Sequence, residues 1–124
     1  MIDFSEKRRY QRVDIGVPLN FKELKSENPL SKGALTRNLS EGGVRFNTDR
    51  FISLSCRMIV EINIPSILKP LRAISKVAWI RKLPVGDDYE IGNQFLDMTK
   101  EDKNIIADFI KKAISQVASP ASQI

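Results

Sequence analysis

Two short polar clusters in this chain of 124 residues carry side chains suited to gripping an anion and reading a base. The first is Arg8-Arg9-Tyr10-Gln11-Arg12; the second is Asn38-Leu39-Ser40-Glu41-Gly42-Gly43. Arginine presents its donors in a rigid fork that binds phosphate bidentately and stacks on aromatic faces. The same fork pairs with the O6 and N7 acceptors of guanine. Asn38 offers a donor and an acceptor to a base edge, and Ser40 a hydroxyl. Two positions apart on extended chain, they project to one side. Gly42 and Gly43 admit backbone angles closed to other residues and let a ligand approach exposed main-chain N–H donors. The combination suits a guanine nucleotide with its phosphates. Taken singly, each cluster has a plainer reading. Asn-x-Ser-x-x-Gly is a common turn sequence, and an arginine cluster also suits RNA, DNA, an acidic protein or a solvated chain end.

Other chemistries are poorly provided for. Histidine is absent, which removes the commonest general base and the commonest metal ligand. A single cysteine, Cys56, allows no intramolecular disulfide and no Cys/His zinc cluster. Asp87 and Asp88 are adjacent in a turn sequence and read as solvated residues rather than a catalytic pair. No enzymatic activity, metal or cofactor is expected. The net charge of +5 and pI near 9.5 favour anionic partners. Lys7, Arg8, Arg9 and Arg12 form the one dense basic cluster, the other cations being interspersed with acids. The first ten residues are charged and lack an apolar signal core, and no stretch approaches the roughly 18 to 20 apolar residues of a membrane span. With 42% apolar residues, the expectation is one packed, cytoplasmic domain without membrane insertion.

The elements that must position the clusters follow from periodicity. Val13, Ile15, Val17, Leu19 and Phe21 alternate with other residues and predict a half-buried strand, with Pro18 marking an edge or a bulge. Further strands are predicted over Gly33–Leu39 and Val44–Phe46, linked tightly through Ser40-Glu41-Gly42-Gly43. Arg57–Ile64, Leu71–Lys82 and Tyr89–Leu96 complete six, separated by turns at Pro65–Pro70 and Pro84–Asp88. Trp79, midway along its strand, reads as a core residue, with stacking on a base as the alternative. Beyond Thr99, a good N-cap, Ile106, Ile110, Ala113 and Val117 recur at helical spacing until Ser119-Pro120. Six short strands and one amphipathic helix imply a closed or nearly closed antiparallel barrel whose helix covers an opening or an edge.

Arg8-x-x-x-Arg12 before the first strand, then Asn38-x-Ser40-x-x-Gly43 after the second, resembles the signature of the PilZ family. Val77-Ala78-Trp79-Ile80 and Tyr89-Glu90-Ile91-Gly92-Asn93-Gln94-Phe95 also look like that family's later strands. The resemblance implies a mainly β fold, a six-stranded antiparallel barrel with a C-terminal helix, and a non-enzymatic receptor for the messenger cyclic di-GMP. It implies that Arg8 and Arg12 grip phosphate and guanine, that Asn38 and Ser40 contact a base, and that Gly43 keeps the floor open, with Arg9 and Gly42 also among the ligand-binding residues. The family often carries Asp where this chain has Asn38; Asn keeps one acceptor oxygen and adds a donor. The expected organisation is a flexible basic segment at 1–12, the barrel and helix at 13–118, and a frayed tail at 119–124. Binding is expected to order the basic segment for a partner protein. A small basic barrel for single-stranded nucleic acid is the disfavoured rival, because aromatic stacking platforms are not evident among six Phe, two Tyr and one Trp. A ligand-free adaptor of the same fold is the other.

Overall fold

A computed structural model describes residues 10–118. The expectations for Arg8 and Arg9, for most of the segment 1–12, and for the tail with its Ser119-Pro120 stop lie outside those residues. Seven strands and one helix follow in order: β1 (Arg12–Val13), β2 (Pro18–Glu23), β3 (Ser31–Ser40), β4 (Gly43–Thr48), β5 (Arg57–Ile62), β6 (Leu71–Lys82), β7 (Tyr89–Asp97) and α1 (Lys100–Ala118). The sheet order is β1-β3-β2-β5-β6-β7-β4, every pairing is antiparallel, and β4 also pairs with β3. That last pairing closes six strands into a ring, with β1 as an extra strand on β3. Among the described residues, closure leaves no long exposed edge for another chain to pair with.

Alternation fills the barrel. Leu19 and Phe21 from β2, Phe46 from β4, and Met58, Val60 and Ile62 from β5 are all buried. Phe21 and Phe46 meet tilted at 4.9 Å between ring centroids. Ile106 and Ile110 of α1 join the same core. The helix begins as its sequence predicts, with the Asp102 N–H donating to Thr99 Oγ1 at 3.1 Å. The Asp102 carboxylate in turn accepts the N–H of Arg72 at 3.3 Å, tying the first turn of the helix to the start of β6.

The first predicted strand is broken in two. β1 and β2 both lie along β3, Val13 opposite Leu39 and Pro18 opposite Leu35, but residues 14–17 leave the ladder. Buried Thr36 takes over there: its hydroxyl accepts the Val17 N–H at 2.9 Å and donates to the carbonyl of Ile15. Pro18 does not mark an edge, since β2 is flanked by β3 and β5. It opens the strand, where no ladder N–H is required, and the irregularity in register falls just beyond it, between Leu19 and Phe21.

A second departure matters more for function. Between Val77 and Trp79 the β6–β7 register shifts, so that Val77 faces Asn93 and Trp79 faces Gly92. One extra residue in β6 changes the phase of the alternation. Val77 stays in the core, whereas Trp79 is 39% exposed and lies outside the barrel. The core reading of Trp79 is therefore corrected.

Thr36→Val keeps the shape of the side chain but strands the buried Val17 N–H. We expect a loss of about 1–3 kcal/mol in urea unfolding with an unchanged m-value, because an unsatisfied buried donor costs its full desolvation.

Candidate functional site

In the β1–β3 ladder, Arg12 stands opposite Ser40. That register lays Arg12 beside the Asn38–Gly43 turn, across more than twenty residues of sequence. Where they meet, a cleft of about 380 Å³ opens, walled by Tyr10 and Arg12 on one side and by β3, β4, β6 and β7 on the other. Of the residues singled out from sequence, Arg12, Asn38, Ser40, Gly42 and Gly43 all line it. Arg45, Trp79 and Gln94 join them from β4, β6 and β7.

Each small residue here has a geometric reason. Ser40 Oγ accepts the N–H groups of both Gly42 and Gly43, each at 3.1 Å. Those amides, expected to be exposed donors, are thus satisfied within their own turn, as part-buried backbone requires. A Cβ on Gly43 would overlap the carbonyl oxygen of Asn93 on the neighbouring strand β7. Gly43 therefore lets β4 approach β7, which is a structural role beyond keeping the floor open. A Cβ on Gly42 would stand 2.9 Å from Cδ2 of the Tyr10 ring, so that ring lies against the turn. Gly92 has no Cβ to obstruct the Trp79 indole, which rests directly on it. A large aromatic face is thereby exposed inside the cleft.

Charge is organised around one buried carboxylate. Glu90 is 4% exposed; its Oε1 accepts Arg81 Nε at 2.8 Å and Nη2 at 2.7 Å, and its Oε2 lies 3.3 Å from Arg45 Nε. Two guanidiniums on one carboxylate compensate its burial, and they anchor the half-exposed Arg45 on the cleft wall. Asp14, in the link between β1 and β2, accepts Asn38 Nδ2 on Oδ1 at 2.7 Å, and the same oxygen lies 3.9 Å from Arg45 Nη2. Asn93 turns its side chain inward, donating to Ser75 Oγ at 2.8 Å, while its Oδ1 is buried without a hydrogen-bond partner among the described residues. Away from the cleft, burial first and then Glu23, by hydrogen bond and by charge, push the Cys56 thiol up, away from thiolate reactivity. No group of three His, Cys, Asp or Glu among the described residues is placed to hold a metal.

Sequence reasoning missed Asp14, Arg45, Glu90 and Gln94, and gave Tyr10 no role of its own. Only Gly92 carried a legible hint, since glycine inside a strand often marks a close approach. The rest acquire their roles from neighbours across the sheet.

The family model for the PilZ domain matches residues 6–112, and the chain belongs to that family. Its fold is shared with the Bacillus subtilis inhibitor of motility MotI/DgrA, at TM-score 0.72 and 14% identity over 87% of this chain and 52% of that one. It is likewise similar to Escherichia coli YcgR in complex with c-di-GMP, at TM-score 0.74 and 15% identity over 94% of this chain and 50% of that one. The isolated PilZ domain of YcgR with c-di-GMP gives TM-score 0.64 and 17% identity over 91% and 98%. The chain thus spans about half the length of the first two. No curated protein matches it. Among the described residues, no helix is long and apolar enough to cross a membrane.

The two turn glycines are expected to differ on substitution. Gly43→Ala forces a methyl onto the Asn93 carbonyl and should cost about 1–3 kcal/mol in thermal or urea unfolding, as overpacking does. Gly42→Ala meets only the edge of the Tyr10 ring, which can swing aside, and should stay within about 0.5 kcal/mol of the parent.

Proposed function

We propose that this protein is a non-enzymatic, cytoplasmic receptor for cyclic di-GMP. One observation supports the reading: the Arg12–Ser40 register, which brings Arg12 and the Asn38–Gly43 turn onto one cleft of a PilZ barrel. The volume falls within the roughly 300–1,000 Å³ of small-molecule sites. Two of the similar solved structures, both of YcgR, hold c-di-GMP. In this reading Arg12, with Arg8 and Arg9 from the segment before it, grips phosphate and the guanine Hoogsteen edge. Asn38 reads a second base edge, and the exposed indole of Trp79 supplies a stacking face. Ser40, Gly42 and Gly43 hold the turn against which the ligand rests, with Ser40 contacting a base at its edge.

The signal would be relayed by the basic segment. A ligand shifts a conformational population only through contacts that differ between the two states. Arginines before β1 that close over a bound dinucleotide provide that difference, and the ordered segment then presents a new surface to a partner protein.

Calorimetric titration with cyclic di-GMP, cyclic di-AMP, GTP and a single-stranded oligonucleotide tests the proposal. Cyclic di-GMP should bind most tightly, because adenine offers an amino donor where guanine offers O6 to an arginine fork. Arg8→Ala and Arg12→Ala should each weaken binding about ten- to a hundredfold, the worth of a charge-assisted contact, while Lys111→Ala on α1 leaves it unchanged. Equal affinity for the two cyclic dinucleotides would reduce the site to a phosphate trap. Preference for the oligonucleotide would favour the nucleic-acid reading instead.

A further inference from the structure

The Asn38 side chain lines the cleft, yet a carboxamide has two chemically opposite ends: an acceptor oxygen and a donor amino group. Which end faces a ligand depends on what holds the other. Here Asn38 Nδ2 donates to Asp14 Oδ1 at 2.7 Å, a short, charge-assisted bond. A carboxylate only accepts, so only the amino end of Asn38 can face it. Arg45 Nη2, 3.9 Å from the same Asp14 oxygen, attracts that carboxylate from the other side and is itself anchored by buried Glu90. With one Nδ2 hydrogen on Asp14 the carboxamide is held in a single orientation, and Oδ1 is the acceptor Asn38 offers a ligand.

We propose that Asp14 is a positioning residue for base selectivity: it locks the Asn38 carboxamide so that an oxygen faces the cleft and the asparagine reads a base as an aspartate would. This rests on the receptor reading above. The Watson–Crick edge of guanine carries N1–H and N2–H₂ donors, which an oxygen accepts. Adenine carries an acceptor at N1, which the same oxygen repels. A carboxamide free to turn would suit either base, because its amino end can meet adenine N1. The locked pair Asp14–Asn38 thereby presents a fixed acceptor oxygen with its charge set back from the ligand, on a residue whose side chain is 81% exposed.

The test compares the parent protein with Asp14→Asn, Asn38→Asp and the double variant, each titrated with cyclic di-GMP and cyclic di-AMP. The readout is the ratio of the two affinities, which a partly unfolded preparation does not distort because both ligands see the same sample. Asp14→Asn frees the carboxamide to turn, and the preference for cyclic di-GMP should fall about tenfold, the scale on which a mismatched polar contact discriminates. Asn38→Asp sets two carboxylates within hydrogen-bond distance and should weaken cyclic di-GMP about tenfold. In the double variant the new amide donates to the new carboxylate, and both affinity and preference should return to within about threefold of the parent. An unchanged ratio in Asp14→Asn, or a double variant no better than Asn38→Asp, overturns the positioning role. Tighter cyclic di-GMP binding by Asp14→Asn also overturns it, by making Asp14 a competitor for the site. Failure of the receptor reading is distinct: the parent itself would bind neither dinucleotide, and the inference would fall with it.

Discussion

The ring of strands includes a tight turn from β3 back into β4, and a single hydroxyl holds that turn. Ser40 Oγ accepts two consecutive amides, those of Gly42 and Gly43, so the turn can be tight and part-buried without orphaned donors. Gly43 then enters β4 with its Cα against the Asn93 carbonyl, a contact any side chain would prevent. From there the β4–β7 ladder runs without a break from Gly43 opposite Gln94 to Thr48 opposite Tyr89. This turn joins two of the ring's six strands and contributes Ser40, Gly42 and Gly43 to the cleft lining.

Residues that read as ligand contacts are thus also parts of the scaffold. Substituting Ser40 or Gly43 would therefore disturb the turn whatever its effect on a ligand. Arg12 and Asp14 are different. Arg12 belongs to a two-residue strand at the margin of β3, and Asp14 stands in the stretch where the ladder lapses. The cleft therefore has a rigid wall, built from β3, β4, β6 and β7, facing a wall joined to the barrel by few backbone bonds.

Electrostatic preorganisation adds to the rigid wall. Arg45 and Arg81 converge on buried Glu90, which limits the freedom of the Arg45 fork before any ligand arrives. Immobilising a long side chain in advance reduces the entropy lost on binding. Trp79, laid on Gly92, is restrained in the same sense by packing rather than by charge.

What the sequence by itself determined is what depends on local periodicity and local chemistry. The two-residue alternation of Leu19 and Phe21 and of Met58, Val60 and Ile62 marks the inward face whichever strands become neighbours. The Thr99 cap and the Ile106–Ile110 spacing define the helix, and the two polar clusters identify themselves by residue type and order. Tertiary structure alone decided the features that depend on a distant partner. The break in the first strand exists because Thr36, some twenty positions on, supplies the hydrogen bonds. Trp79 faces out because β6 carries one residue more than β7 opposite it, a mismatch visible only once the two are paired. Asp14, Arg45 and Glu90 are ordinary charged residues in the sequence. They come together because register pairs Arg45 with Asn38 and brings Glu90 to Arg45, and register is a property of the closed sheet rather than of any one strand.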